Sequence, residues 1–135
     1  MEELRSAAEA VRENLNISSF DEPAVRELAK FIEEQRTTMP AEEQPGVINA
    51  LGCFLGECII RSFGGYWYRE INGLVSVRLQ GSTLINPFVS VERHLLHGVT
   101  DAVVAVFREA AQAPVSTLRR TWIPLPLPPR RTLST

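Results

Sequence analysis

The chain has 135 residues, 44% of them hydrophobic and 22% charged, a size and composition that suit one globular domain and exclude a disordered chain. No apolar run approaches the roughly 18–20 residues of a membrane span, and the acidic start MEELRSAAEA lacks the basic-then-apolar pattern of a secretory leader. The expected location is therefore the cytoplasm, with no membrane partner. The net charge of -2 hides an asymmetry: residues 1–57 carry twelve acids against five bases, and residues 58–135 four acids against nine bases. The basic half is too diffuse for a nucleic-acid footprint, so a nucleic-acid partner is not expected.

Taken in chain order, the first helix is predicted over residues 2–15, with Leu4, Ala8, Val11 and Leu15 on one stripe. Asn14 to Ser19 break that pattern. Asp21 caps a second helix with Pro23 in its first turn, and Val25, Leu28, Ala29 and Ile32 form its buried stripe. A connector with Pro40 and Pro45 leads to a third helix, about residues 45–62, apolar nearly all round and hence central. Gly52 and Gly56 share one flank of it. Each costs roughly 1 kcal/mol of helix stability, so the close approach of another backbone is expected there.

Gly64-Gly65 ends this helix, and Asn72-Gly73 folds the next segment into a hairpin. A two-residue type I′ turn at Asn-Gly pairs Tyr68 with Val77 and Trp67 with Arg78. That register points Tyr66, Tyr68, Val75, Val77 and Leu79 at the core. It leaves Trp67, Arg69, Ile71, Leu74, Ser76 and Arg78 on a mixed outer face. Leu84-Ile85 forms a short third strand. Asn86-Pro87 opens a fourth helix ending at Gly98, and Thr100 caps a fifth with Ala102, Val103, Val106, Phe107 and Ala110 inward. The predicted architecture is α+β: N-terminal helices and a central apolar helix on a small antiparallel hairpin or three-stranded sheet, then two C-terminal helices. Residues 1–114 form the domain. Residues 115–135 form an extended tail with four prolines, four arginines and no acid.

Gly52-x-x-x-Gly56-Glu57, Gly64-Gly65-x-Trp67, Asn86-Pro87-Phe88 and Gly98, in that order, resemble a family of small bacterial domains of unknown function. In these an LGE helix precedes GG-x-W, a hairpin and a PF-initiated helix. The resemblance covers roughly residues 38–110. It implies a helix–hairpin–helix α+β core and a bacterial origin, and it brings no catalytic residue with it.

The remaining candidates are single residues or pairs. Glu57, the one acid in the apolar helix, is either a buried general base or a partner of Arg61 and the Gly64-Gly65 turn. His94 and His97 would need a third ligand such as Asp101 to hold a metal, and they equally suit a helix C-terminus. Cys53 and Cys58 lie about 140° apart around a helix and lack Cys-x-x-Cys spacing, so two buried thiols are expected. No catalytic residue, metal or cofactor is assigned.

Binding residues are expected on two surfaces. One is the Trp67, Arg69 and Arg78 face, suited to an anion or acidic peptide. The other is the tail, where Trp122 and Ile123 are apolar anchors and Pro126-x-x-Pro129-x-Arg131 has the spacing of a groove-binding proline motif. The leading expectation is a non-enzymatic protein-interaction domain that binds a protein partner or itself. The alternative is a small hydrolase or ligand-binding domain using Glu57 and a histidine in a pocket between the central helix and the hairpin.

Overall fold

The computed structural model describes residues 2–112, within which the chain forms five helices and one three-stranded sheet. The helices are α1 (Glu2–Asn14), α2 (Glu22–Gln35), α3 (Gln44–Phe63), α4 (Pro87–His97) and α5 (Ala102–Ala111). The strands are β1 (Tyr66–Arg69), β2 (Val75–Arg78) and β3 (Leu84–Ile85), antiparallel and in the order β1-β2-β3. The class is α+β, as the pattern predicts. The domain boundary at 114 and the whole tail, with Trp122, Ile123, Pro126, Pro129 and Arg131, lie outside the described residues.

Local chemistry sets the helix ends. The Asp21 carboxylate accepts from the Ala24 amide, and the Asn86 side-chain oxygen accepts from the amides of Phe88 and Val89. Gly64 and Gly98 close α3 and α4 in the left-handed conformation. Asp101, rather than Thr100, precedes α5, and its side chain makes no capping bond.

α3 is the core helix. Its residues Leu51 to Ile59 are buried without a break, because α1, α2, α4, α5 and the sheet all pack around it. By average hydropathy the stretch Ala41–Phe63 is long and apolar enough to cross a membrane, which corrects the expectation that no run comes near that length. Half of its most apolar window is buried within the fold. Protein neighbours on every side account for the apolar character of a helix like this.

The hairpin departs from prediction by one residue. Tyr66 pairs with Arg78, Trp67 with Val77, Tyr68 with Ser76 and Arg69 with Val75. The loop has three residues, because Gly73 alone takes a positive φ while Asn72 stays out of the left-handed region. The Gly73 amide donates to the Glu70 carbonyl, the Asn72 side chain accepts from the Leu74 amide, and Glu70 pairs with Leu74. This is a turn followed by a left-handed glycine, the other common use of Asn-Gly. A one-residue slip turns over every side chain of a strand. Trp67, Val77 and Ile85 therefore point into the core, and Tyr66 and Tyr68 point away from it.

The glycine flank of α3 also receives something other than a backbone. A Cβ on Gly52 would stand 2.1 Å from the Phe88 ring, and one on Gly56 would stand 2.1 Å from the Trp67 ring. The two glycines leave room for aromatic rings. Close backbone approach occurs instead at Gly65, where a Cβ would lie 2.7 Å from the Arg78 carbonyl oxygen.

Candidate functional site

Gly52, Gly56, Glu57, Trp67 and Phe88 converge on one structural latch. The Trp67 indole lies on Gly56, and its Nε1–H donates to Glu57 Oε2 at 2.8 Å. Arg61 Nε donates to the other oxygen, Oε1, at 3.0 Å. Arg61 also stacks over the Phe20 ring at 3.9 Å and reaches Glu9 on α1, which in turn pairs with Arg12. Phe88 lies on Gly52, with its ring centroid 6.0 Å from that of Trp67. Glu57 is only 2% exposed, and both its oxygens have partners. A buried carboxylate demands such partners, so its place in the apolar helix is explained by the indole and the guanidinium.

Other titratable groups are committed elsewhere. His94, 1% exposed, donates from Nε2 to Glu33 Oε1 at 3.0 Å, tying α4 to α2. Its Nδ1 is buried with no hydrogen-bond partner among the described residues. That hydrogen bond, and then the one from Arg36, hold the Glu33 carboxyl below its ordinary value. His97 is exposed, and among the described residues no group of three or more His, Cys, Asp or Glu side chains could hold a metal. Burial, and then the Glu57 charge, push the Cys53 thiol up to about 11, and burial pushes Cys58 higher still. Both thiols are free, fully buried and protonated at neutral pH, unsuited to nucleophilic work.

The Trp67, Arg69 and Arg78 face does not assemble. Trp67 points inward and is buried; Arg78 lies on the opposite side of the sheet, 5.0 Å over the Tyr68 ring. Arg69 is exposed beside the loop, its Nη1 donating to the Gly73 carbonyl at 3.5 Å. The register slip is the cause, since it moves β1 but not β2 to the other face.

What the fold does build is an open groove of about 640 Å³ where the start of α3, the hairpin loop and the outer side of α4 meet, with Leu4 of α1 at its edge. The volume falls within the range of small-ligand sites, roughly 300–1,000 Å³. Its walls are apolar: Pro45, Ile48, Leu74, Val75, Phe88, Val89 and Leu96, joined by Gln44, Asn49, Asn86 and Glu92. Val89 and Leu96 are each 41% exposed. Neither Glu57 nor a histidine lines it, so the pocket beside the central helix and the hairpin lacks the groups expected to do chemistry there.

One signal in the sequence pointed to this groove. α4 carries a buried stripe of Val91, His94 and Leu95 and a second apolar pair, Val89 and Leu96, on its other side, with Phe88 between the two. A helix apolar on two sides needs two partners. No family profile, curated protein or solved structure matches this chain.

Proposed function

We propose that this is a non-enzymatic protein-interaction domain that holds an apolar segment of a protein in the groove between α3, α4 and the hairpin loop. The observation that carries the reading is the groove itself, wide, open and apolar, with half-exposed Val89 and Leu96 in its wall. Helix-lined apolar grooves take peptide side chains by burial, with a few polar groups setting orientation. Glu57 and His94, the groups a hydrolase would use, are held in separate structural pairs outside the groove. The reading places the domain in the cytoplasm, where the unpaired thiols Cys53 and Cys58 would stay reduced. The bacterial family of the resemblance remains part of the proposal.

The test is selection from a displayed random-peptide library on the full-length protein. Apolar peptides should be enriched. Leu96→Glu should weaken their binding at least tenfold, a loss of about 1.4 kcal/mol, with the melting temperature unchanged because Leu96 is half exposed. Enriched peptides indifferent to Leu96→Glu and Val89→Glu, or no enrichment at all, would overturn the reading.

A further inference from the structure

We infer that a second copy of this chain fills the groove: the hairpin tip of each copy, Ile71 to Gly73, seats in the groove of the other around a two-fold axis. The inference rests on the groove being a peptide site, and it names that site's partner.

Apolar exposure is gathered around one hairpin. Among the described residues seven large hydrophobic side chains are exposed, and six of them, Tyr66, Ile71, Leu74, Leu84, Val89 and Leu96, belong to the sheet, its loop or the groove wall on α4. Scattered single exposures are ordinary, whereas a gathered set marks an interface. Ile71 is the extreme case, wholly exposed in the loop beyond the Glu70–Leu74 pair. Its side chain is β-branched and stiff, so it loses little freedom when it is seated.

The tip is also apolar on both sides. Gly73, Leu74 and Val75 face the groove of their own chain. Ile71 instead lines a separate hollow of about 390 Å³ on the outer side of the sheet, with Tyr68, Arg78 and Leu84. A tip inserted into a second copy's groove uses both sides. The Ile71 side meets the α4 wall, Val89 and Leu96, and the Leu74 side meets the second copy's tip, which is the opposite wall of that groove. Across the interface the order becomes α4, the second copy's tip, the first copy's tip, and the second copy's α4. Each copy gives what it takes, which is the self-complementarity of a two-fold contact, and the assembly closes at two chains.

Charge agrees with this order. Arg78 stacks on Tyr68 at 5.0 Å, on the side of the tip that carries Ile71. Glu92, in the α4 wall that receives that side, is exposed and has no ion pair or hydrogen bond among the described residues. Glu70, also on the Ile71 side, is held by the Ser76 hydroxyl at 2.7 Å. Arg69 stands at the rim of its own groove, its Nη1 3.5 Å from the Gly73 carbonyl oxygen, where its charge acts on Glu3 of α1. A seated tip thus brings a cation toward an unpaired acid, while Arg69 is balanced within its own chain.

The experiment is sedimentation of the full-length chain over a concentration series. The wild type should associate to a dimer and no further. Ile71→Asp and Leu96→Glu should each weaken that association roughly thirtyfold or more, as the loss of an interfacial anchor does. Both side chains are exposed in the single chain, so at concentrations where the wild type is monomeric all three should melt together. Mixing the two variants is the sharper test. Each alone lacks either both tips or both grooves, but a mixed pair keeps one sound tip in one sound groove, so the mixture should form a heterodimer. A monomeric wild type, a dimer indifferent to Ile71→Asp, assembly beyond two chains, or a mixture without heterodimer would overturn the inference. Ile71→Asp should also bind library peptides more tightly, because its groove is free. A monomeric wild type that still selects peptides sensitive to Leu96→Glu would keep the groove as a binding site and remove the second copy from it.

Discussion

Trp67 over Gly56 and Phe88 over Gly52 sit one helical turn apart on the same flank of α3, but they are held differently. The Trp67 ring is buried and bonded through its nitrogen to a carboxylate that is itself held by Arg61. The Phe88 ring is half buried, held by packing alone, and forms part of the groove wall. One ring fixes the sheet to the core helix; the other belongs to a surface that can adjust. Two neighbouring glycines thus seat rings of different kinds: one a buried, hydrogen-bonded strut, the other a part of the groove wall.

The largest difference should come from removing the rings. Trp67→Ala leaves a cavity and strips Glu57 of its buried donor, so it should cost about 3–5 kcal/mol in chemical denaturation. Phe88→Ala should cost roughly 1–2 kcal/mol, since half of that ring already faces the groove. Equal losses would erase the distinction.

A smaller effect should appear at the glycines. Gly56→Ala drives a methyl into an indole that cannot slide without breaking its bond to Glu57, for a net loss of about 2 kcal/mol after the helix-propensity gain. Gly52→Ala should stay within about 1 kcal/mol of wild type, because Phe88 can swing toward the open groove. Matching melting temperatures for the two variants would mean that Phe88 is as fixed as Trp67.

The smallest effect concerns the tie between α4, which carries Phe88, and α2. The Glu33 carboxyl is lowered below 4.5 by its hydrogen bonds to His94 and Arg36. A depressed acid stabilises the fold fully above its unfolded value, and that contribution fades as the pH falls through the folded one. Wild type should therefore melt above Glu33→Gln at pH 7, with the gap closing below about pH 4.5. A gap that persists unchanged to pH 3 would remove Glu33 from the account of α4.

Features set by neighbouring residues were legible in the sequence. The caps at Asp21 and Asn86, the stops at Gly64 and Gly98, and the centrality of the apolar helix follow from propensity and periodicity. The hairpin register was not, because Asn-Gly serves both a two-residue loop and a three-residue loop with glycine in the left-handed position. That single ambiguity carried Trp67 from the core to an imagined binding face. The latch was half visible, since Glu57–Arg61 is a local pair, whereas its bond to Trp67 depends on the strand face. The groove was hidden because α1, α3, α4 and the hairpin loop each contribute a wall, and only α4 shows its part through a second apolar side.

The strand lengths have a consequence for colloidal behaviour. β1 and β3 are the two edges of the sheet, four and two residues long. Open edges invite foreign strands, and proteins blunt them by brevity, charge and local distortion. Here Arg69 ends β1 where the chain enters a loop closed by the left-handed Gly73, and Gln80–Ser82 forms a helical turn just before β3. A stray strand would find too few main-chain partners in line to gain a foothold, so a domain with an exposed apolar groove is still protected against edge-to-edge polymerisation.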